Sequence, residues 1–494
     1  MVKKTEKNEY IAKTATGIEG LDIILEGGLP EDRITMLSGT AGSGKTVLGC
    51  EFLWKSMTHY KENCVFVTFE ESPQRVMQNI KSFGWDLHAL QKENKLAFVE
   101  FNKGSVSSYM ISGEFDLTII VNRIRHAIEK IGAKKLFIDS ISAFFEQLGD
   151  HPPVRRMLLD LSEKLNEMGV TTILTAERFE EYGSLSAYRG EIFVSDCVLV
   201  MRHVLEDEKT RRTIQVLKFR GSAHKQGEYP FTIADEGIVI VPNVGMKLNA
   251  KSSNVRISSG NKDVDIMCGG GFFRDSIILI SGPTGTGKTM MASMFLHAAQ
   301  KEKQRAIMFA FEESKDQLFR NGTSFGVNLE GMEEKGLLKV ICEYPEDCGP
   351  EEHLLRMKRE IADFKPNRIA VDSLSAMERV VSVRSFREFV IALTSHTKQL
   401  QIAGLFTNTT ATLLGGESIT ETHISTLTDS IILLRYVETG GIMRRGLTVI
   451  KMRGSMHHRE IFEYKITDDG MKILKPFNNV EGIINVIKLR NFSD

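Results

Sequence analysis

The chain is written twice. "GLDIILEGGLPEDRITMLSGTAGSGKT" (residues 20–46) and "DVDIMCGGGFFRDSIILISGPTGTGKT" (263–289) set Asp22 against Asp265, Gly27 against Gly270 and Lys45 against Lys288, at a constant offset of 243. Further landmarks follow in the same order. "VTFEES" (67–72) meets "FAFEES" (309–314) at 242; "LFIDSIS" (136–142) meets "IAVDSLS" (369–375), and "LKFRGS" (217–222) meets "IKMRGS" (450–455), both at 233. Solenoid repeats run roughly 20 to 50 residues, so this period means two whole domains, expected at 1–248 and 263–494. The stretch between them, 249–262, is rich in Ser, Asn and Lys and reads as a linker.

Within the first half the apolar runs "ITMLS", "CVFVTF", "LFID", "TTILTA" and "CVLVM" read as strands, and Met157, Leu161, Leu165 and Met168 recur at helical spacing. Strands alternating with helices predict an α/β fold with a mostly parallel twisted sheet and helices on both faces. Such sheets bind ligands at the carboxyl ends of their strands.

Composition sets outer bounds. The 42% apolar and 26% charged residues describe a globular chain, and a formal charge of -1 provides no global field toward nucleic acid or an anionic membrane. The six cysteines include no CxxC pair, which fits reduced thiols in a cytosol. No apolar stretch approaches the roughly 20 residues that span a bilayer. The expectation is a cytoplasmic protein without a membrane anchor.

"GTAGSGKT" (39–46) and "GPTGTGKT" (282–289) both satisfy GxxxxGK[ST]. Chance yields on the order of 0.02 such matches in a chain this long at average residue usage; two, each after an apolar run, identify P-loops. The loop residues Thr40, Ala41, Gly42, Ser43 and Gly44, and Pro283, Thr284, Gly285, Thr286 and Gly287, would turn backbone N–H groups onto ATP phosphates at a helix N-terminus. Lys45 and Lys288 would reach the β/γ-oxygens, and Thr46 and Thr289 would offer hydroxyls to Mg2+. Asp139 and Asp372, each closing an apolar run, are the expected carboxylates for that magnesium.

Both halves carry "FEES". Glu70 and Glu71, with Glu312 and Glu313, are candidates to take the proton of an attacking nucleophile from the end of a strand expected beside the P-loop strand. Lys218 with Arg220, and Lys451 with Arg453, stand two apart on strands expected at the sheet edge, where they would form a clamp for a neighbouring subunit's nucleotide. A trans-acting Arg contributes about 10³ to 10⁵ in rate.

Aligning Asp196 with Asp429 sets Ile192 against Ser425, Phe193 against Thr426 and Ser195 against Thr428. A hydroxyl at Thr428 is common to both halves; those at Ser425 and Thr426 replace large apolar side chains. The first domain would therefore have only water as acceptor, whereas the second has two alcohols as well.

On "TGIEGLD" (16–22), "HISTLTD" (423–429), "GLFTNT" (404–409), "KMRGS" (451–455) and "EIFEYKITDDG" (460–470), the chain resembles the KaiC family, tandem RecA-like P-loop ATPases and autokinases of bacterial clocks, over nearly its whole length. The resemblance implies a serine/threonine autokinase and autophosphatase in timing or stress signalling, built as a double-ring homohexamer with ATP at subunit interfaces. It puts Ser425 and Thr426 on the phosphorylation positions and the two Glu pairs on catalytic ones. It implies Mg2+ at Thr46 and Asp139 in one half and at Thr289, Asp372 and Glu312 in the other. It adds Ser82, Ser324 and Phe325 near base or ribose, Phe219, Met452 and Arg445 as further ATP contacts, and Arg379 near the phosphorylated strand. A KaiB-like protein is a candidate partner. The tail "NNVEGIINVIKLRNFSD" lacks the length and composition of the segment that binds the activator KaiA, which argues against a KaiA-type activator.

Two competitors share the core. A DNA motor needs basic or aromatic pore loops, and "EQLGDHPPVRR" (146–156) and "TTATLLGGESITE" (409–421) contain little of either, so nucleic acid is not the expected partner. A nucleotide-gated scaffold would not require the glutamates that both halves keep.

Overall fold

The computed structural model describes residues 11–101, 110–111, 114–115, 117–142, 154–183, 194–206, 209–241, 252–410, 424–439 and 441–477. Ile192, Phe193 and most of the segment 409–421 lie outside them. The chain divides into two compact units, Met1–Gly245 and Met246–Asp494. Arg256–Ile257, inside the stretch read as linker, pairs with Phe272–Phe273 and so belongs to the second unit.

In the first unit the five apolar runs become strands β1 (Ile34–Gly39), β2 (Cys64–Thr68), β4 (Lys135–Asp139), β5 (Thr171–Glu177) and β6 (Cys197–Glu206), and a sixth strand that was not expected, β3 (Leu96–Glu100), joins them. These six pair in parallel in the order β3-β2-β4-β5-β1-β6. Three antiparallel strands, β7 (Lys209–Phe219), β8 (Glu228–Ala234) and β9 (Gly237–Ile240), extend the sheet beyond β6. β1 and β2 are buried along their whole length, as parallel strands covered on both faces must be. Helix α1 (Lys45–Thr58) packs on one face, and α2 (Leu117–Ile131) and α3 (Val154–Glu167) on the other. Leu158, Leu161 and Leu165 are the buried stripe of α3.

The second unit repeats the plan. β10 (Ile277–Gly282), β11 (Ala306–Ala310), β12 (Leu338–Cys342), β13 (Arg368–Asp372), β14 (Ala403–Thr409) and β15 (Ser430–Thr439) are parallel in the order β12-β11-β13-β14-β10-β15. β16 (Ile442–Met452), β17 (Phe462–Thr467) and β18 (Gly470–Pro476) continue it antiparallel. Its P-loop helix is α4 (Lys288–Ala298), and α5 (Pro350–Phe364) corresponds to α2.

This topology overturns one expectation and narrows another. The strands before the Glu pairs, β2 and β11, are separated from the P-loop strands by β4 and β5, and by β13 and β14, because each intervening strand is itself buried and inserted by a crossover helix. The Lys–Arg strands β7 and β16 are not edges along their whole length: Arg212–Gln215 and Arg445–Leu447 are bonded on both sides, with the hairpins β8–β9 and β17–β18 beyond, whereas the ends carrying Lys218 and Lys451 pair only with β6 and β15.

Candidate functional site

Each P-loop closes a fully buried strand and opens a helix. Gly42 (φ 74°) and Gly44 (φ 97°), like Gly285 (φ 80°) and Gly287 (φ 94°), adopt the left-handed conformation that only glycine takes without strain. Neither Gly44 nor Gly287 caps its helix with a side chain, so the first-turn N–H groups face the loop, an arrangement suited to phosphate.

The lysines are held ready. Lys45 Nζ donates to Gly39 O at 2.9 Å and Thr40 O at 2.8 Å; Lys288 Nζ donates to Gly282 O at 2.9 Å and Pro283 O at 3.0 Å. Burial pushes both ammonium groups below the ordinary lysine range, with nearby carboxylates opposing the shift. An incoming triphosphate would relieve that desolvation with opposite charge.

Hydroxyl and carboxylate converge beside them. Thr46 Oγ1 donates to Asp139 Oδ2 at 2.7 Å, and Thr175 Oγ1 to Asp139 Oδ1 at 2.5 Å. Asp372 is held likewise by Thr289 and Thr407. Burial raises its proton affinity and those hydrogen bonds oppose the rise. Among the described residues no three acid, imidazole or thiol side chains cluster tightly enough to hold a metal alone. One carboxylate plus one hydroxyl fits magnesium, which takes its remaining ligands from water and phosphate.

The Glu pairs lie in bends just past β2 and β11, not on the strands. Asn79 Nδ2 donates to Glu71 and Asn321 Nδ2 to Glu313, both at 3.1 Å, at equivalent positions. Burial, then the charge of Asp372, raises the Glu313 pKa. Glu312 accepts from Ser373 Oγ at 3.0 Å and pairs with Arg379 at 2.6 Å. Arg379 therefore meets the carboxylate pair within its own chain.

The segment carrying Ser425 and Thr426 enters the sheet at the opposite end. Ser430 sits across from Ile278, Asp429 N donates to Ile277 O at 2.8 Å, and Ile277 N donates to Asp429 Oδ2 at 2.9 Å. β10 runs from there to the P-loop, so about 16 Å of strand separates these hydroxyls from their own chain's phosphate loop. The segment is pinned. Lys451 Nζ donates to Ser425 O at 2.6 Å and Thr428 O at 2.7 Å, Arg453 Nη2 to Thr426 O at 3.0 Å, and Lys398 pairs with Asp429 at 2.8 Å. Lys218 Nζ makes the matching bond to Ser195 O at 2.6 Å in the first unit.

Other expected contacts divide. Ser82 and Ser324 are exposed on equivalent turns, and Gly326, beside Phe325, approaches the β17–β18 turn at Asp468. That hairpin also supplies Ile466 and Met471 around Gly287. Phe219 and Met452 point the other way, into the cores, so only their backbones remain for a ligand. Arg445 Nε donates to Gly285 O at 3.3 Å. Its counterpart at the 233 offset, Arg212, donates to Gly42 O at 3.4 Å and was missed, although the repeat itself marks it. Glu177 lies 3.9 Å from Lys45, and Glu181 accepts from Thr40 Oγ1 and from His203 N; neither carries a motif that announces it.

Two six-stranded parallel cores, each with a P-loop, a hydroxyl–carboxylate pair and a carboxylate pair at the strand ends, define a tandem RecA-like P-loop ATPase. The family model "ATPase: KaiC" matches residues 14–245 and again 257–478. The chain is 52% identical to the circadian clock protein KaiC3 of Synechocystis sp., covering 97% of this chain and 95% of that one. It is 51% identical to the circadian clock oscillator protein KaiC of Acaryochloris marina, over 98% and 92% of the two chains. The corresponding protein of Thermostichus vulcanus is 50% identical, over 97% and 92%. The chain belongs to the KaiC family of ATPases. No helix among the described residues is long and apolar enough to cross a membrane.

Proposed function

We propose that the chain is an ATPase and serine/threonine autokinase, with reversal of its own phosphorylation, that works as a double-ring homohexamer in timing or stress signalling. The first unit hydrolyses ATP; the second transfers the γ-phosphoryl group to Ser425 or Thr426 of a neighbouring subunit. The observation that carries this reading is the position of those hydroxyls, remote from their own P-loop and alongside Lys451 and Arg453. An acceptor at one end of the sheet and a phosphate loop at the other suit head-to-tail contacts, which close into a ring.

In this reading the loop amides and Lys45 or Lys288 bind the phosphates. Thr46 with Asp139, and Thr289 with Asp372 and Glu312, would hold Mg2+, which neutralises charge developing on the transferred group. Glu70 or Glu71 orients and deprotonates water. Glu313, its proton affinity raised by burial, is suited to take the proton of an acceptor hydroxyl, while Arg379 holds Glu312. Lys218, Arg220, Lys451 and Arg453 act from the neighbouring subunit. The new phosphate adds about -1.5 to -2 charges at a subunit contact, enough to change how a KaiB-like partner is received.

The test is incubation with magnesium and γ-labelled ATP. Wild type incorporates label, and Ser425→Ala/Thr426→Ala drops incorporation to background while hydrolysis continues. Label that survives the double substitution removes the assignment. Glu70→Gln is expected to cut hydrolysis about 10²-fold and leave labelling largely intact; equal loss of both would contradict the division of labour.

A further inference from the structure

Beneath the two carboxylate pairs the units are built from different chemistry. In the first unit Phe69, just before Glu70, stacks on Phe101 with ring centroids 5.1 Å apart, and Ile120 of α2 completes the same buried cluster. The Arg123 guanidinium covers Phe101 at 4.4 Å. At the equivalent positions the second unit has Phe311, Glu343, His353 and Arg356. The equivalence is structural as well. Phe101 N donates to Thr68 O and Glu343 N to Ala310 O, and α2 and α5 are both 15 residues long. One apolar pair, Phe101 and Ile120, has thus become an acid and a base together.

That acid and base meet. His353, 1% exposed, sets its ring edge-on to Phe311 at 5.6 Å, and its Nδ1 lies 3.2 Å from Glu343 Oε2. The other Glu343 oxygen is 3.6 Å from Arg356, whose guanidinium also binds Glu352 at 2.6 Å. Phe311 N donates to Asp372 O at 2.8 Å. Phe311 directly precedes Glu312 and Glu313, so its ring packs the root of their turn against His353.

We propose that the buried His353–Glu343–Arg356 network positions the second unit's carboxylate turn through Phe311, and that the protonation state of this network makes that unit's turnover, and not the first unit's, sensitive to acid. The charged and titratable groups facing the His353 ring are Glu343 from the loop after β12 and Arg356 from its own helix, with the Pro345 carbonyl alongside. Burial is the largest influence and lowers the ring's proton affinity, outweighing Glu343. The packed arrangement therefore holds the neutral ring. Its support is fully present above the ordinary histidine value of 6.5 and is lost only as pH falls through the packed ring's own, lower value.

The proposal rests on the second unit turning over ATP, whichever acceptor it uses. In full-length Lys45→Ala protein, ADP release reports the second unit; in Lys288→Ala protein it reports the first. Turnover in the Lys45→Ala background should hold from pH 7.5 to about 6.5 and fall on further acidification toward pH 5 by one proton-linked step, at most about tenfold per pH unit, beyond any fall in the Lys288→Ala background. Two substitutions should abolish that extra step with little change in KM for ATP: His353→Gln, which keeps a neutral hydrogen-bonding group, and Glu343→Phe/His353→Ile, which installs the first unit's pair. Persistence of the acid step in both variants overturns the proposal. Hydrogen exchange reads the same turn without turnover. In wild type, peptide 306–314 should lose protection relative to peptide 64–72 between pH 7.5 and 5 after correction for intrinsic rates, and equal behaviour of the two peptides also overturns it. No ADP release in the Lys45→Ala background at any pH would instead defeat the proposed function of the second unit, while the exchange measurement still decides this point.

Discussion

Glu51 lies on α1 behind the first P-loop, 2% exposed, with one carboxylate oxygen accepting from Ile238 N at 2.7 Å. Burial raises its pKa from 4.5 to about 7, against the opposing pull of that hydrogen bond and of Lys55. The folded state thus binds a proton that the unfolded chain has already released. Stability is greatest below about pH 4.5 as far as this group is concerned, falls as pH climbs toward 7, and is level beyond. Glu51→Gln keeps an acceptor for Ile238 and carries no charge, so it should stabilise the first unit at pH 8 by up to about 3 kcal/mol and change little at pH 4.5. Both tryptophans, Trp54 and Trp85, belong to this unit, so their fluorescence during denaturant unfolding follows it alone. A stability difference that does not grow with pH would contradict the assignment. The second unit has Met294 at the equivalent position and lacks this dependence.

The P-loop helices show how one element is fitted to its sheet by paired sizes. A Cβ added at Gly49 of α1 would lie 2.1 Å from the Phe137 ring of β4. In the second unit the same two positions are Ala292 and Ala370, both fully buried, so bulk has moved from the strand to the helix. Gly49→Ala should therefore destabilise the first unit by about 2 kcal/mol through overpacking, visible as an earlier tryptophan transition. Adding Phe137→Ala to Gly49→Ala should relieve the clash, although it leaves a cavity of its own. If Gly49→Ala is neutral, α1 is not seated on β4 as tightly as these distances require.

For the whole molecule, acceptor and phosphate loop at opposite ends of one sheet lead to a complementation test. Protein lacking the acceptors, Ser425→Ala/Thr426→Ala, and protein lacking the second P-loop lysine, Lys288→Ala, should each incorporate negligible label alone. Mixed under conditions that permit subunit exchange, they should label the Lys288→Ala chain, since its intact hydroxyls meet a neighbour's nucleotide. Label on the Lys288→Ala chain by itself would mean that another site supplies phosphate, and no label in the mixture would mean that the pinned segment reaches only its own chain's loop. Either result would break the link between sheet polarity and ring assembly.

The duplication, both P-loops, the aspartates that meet Thr46 and Thr289, and five of the six parallel strands of the first unit were legible in the sequence; Leu96–Glu100 was not. They depend on local rules: glycine at left-handed positions, apolar runs of strand length, and fixed spacing between them. Legible in another way was the contrast of Ser425 and Thr426 with Ile192 and Phe193, because an internal repeat sets each residue beside its twin. Strand order was not legible: nothing local to β2 or β11 reveals that two further strands insert between it and the P-loop strand. The same holds for β7 and β16, which the following hairpins extend over Arg212–Gln215 and Arg445–Leu447 but not over the ends carrying Lys218 and Lys451. Which end of the sheet carries Ser425 and Thr426, and that Glu343 and His353 meet beneath Phe311, were decided by tertiary structure alone. Those contacts join residues brought together by chain crossovers, and a crossover leaves no periodic trace in the residues it connects.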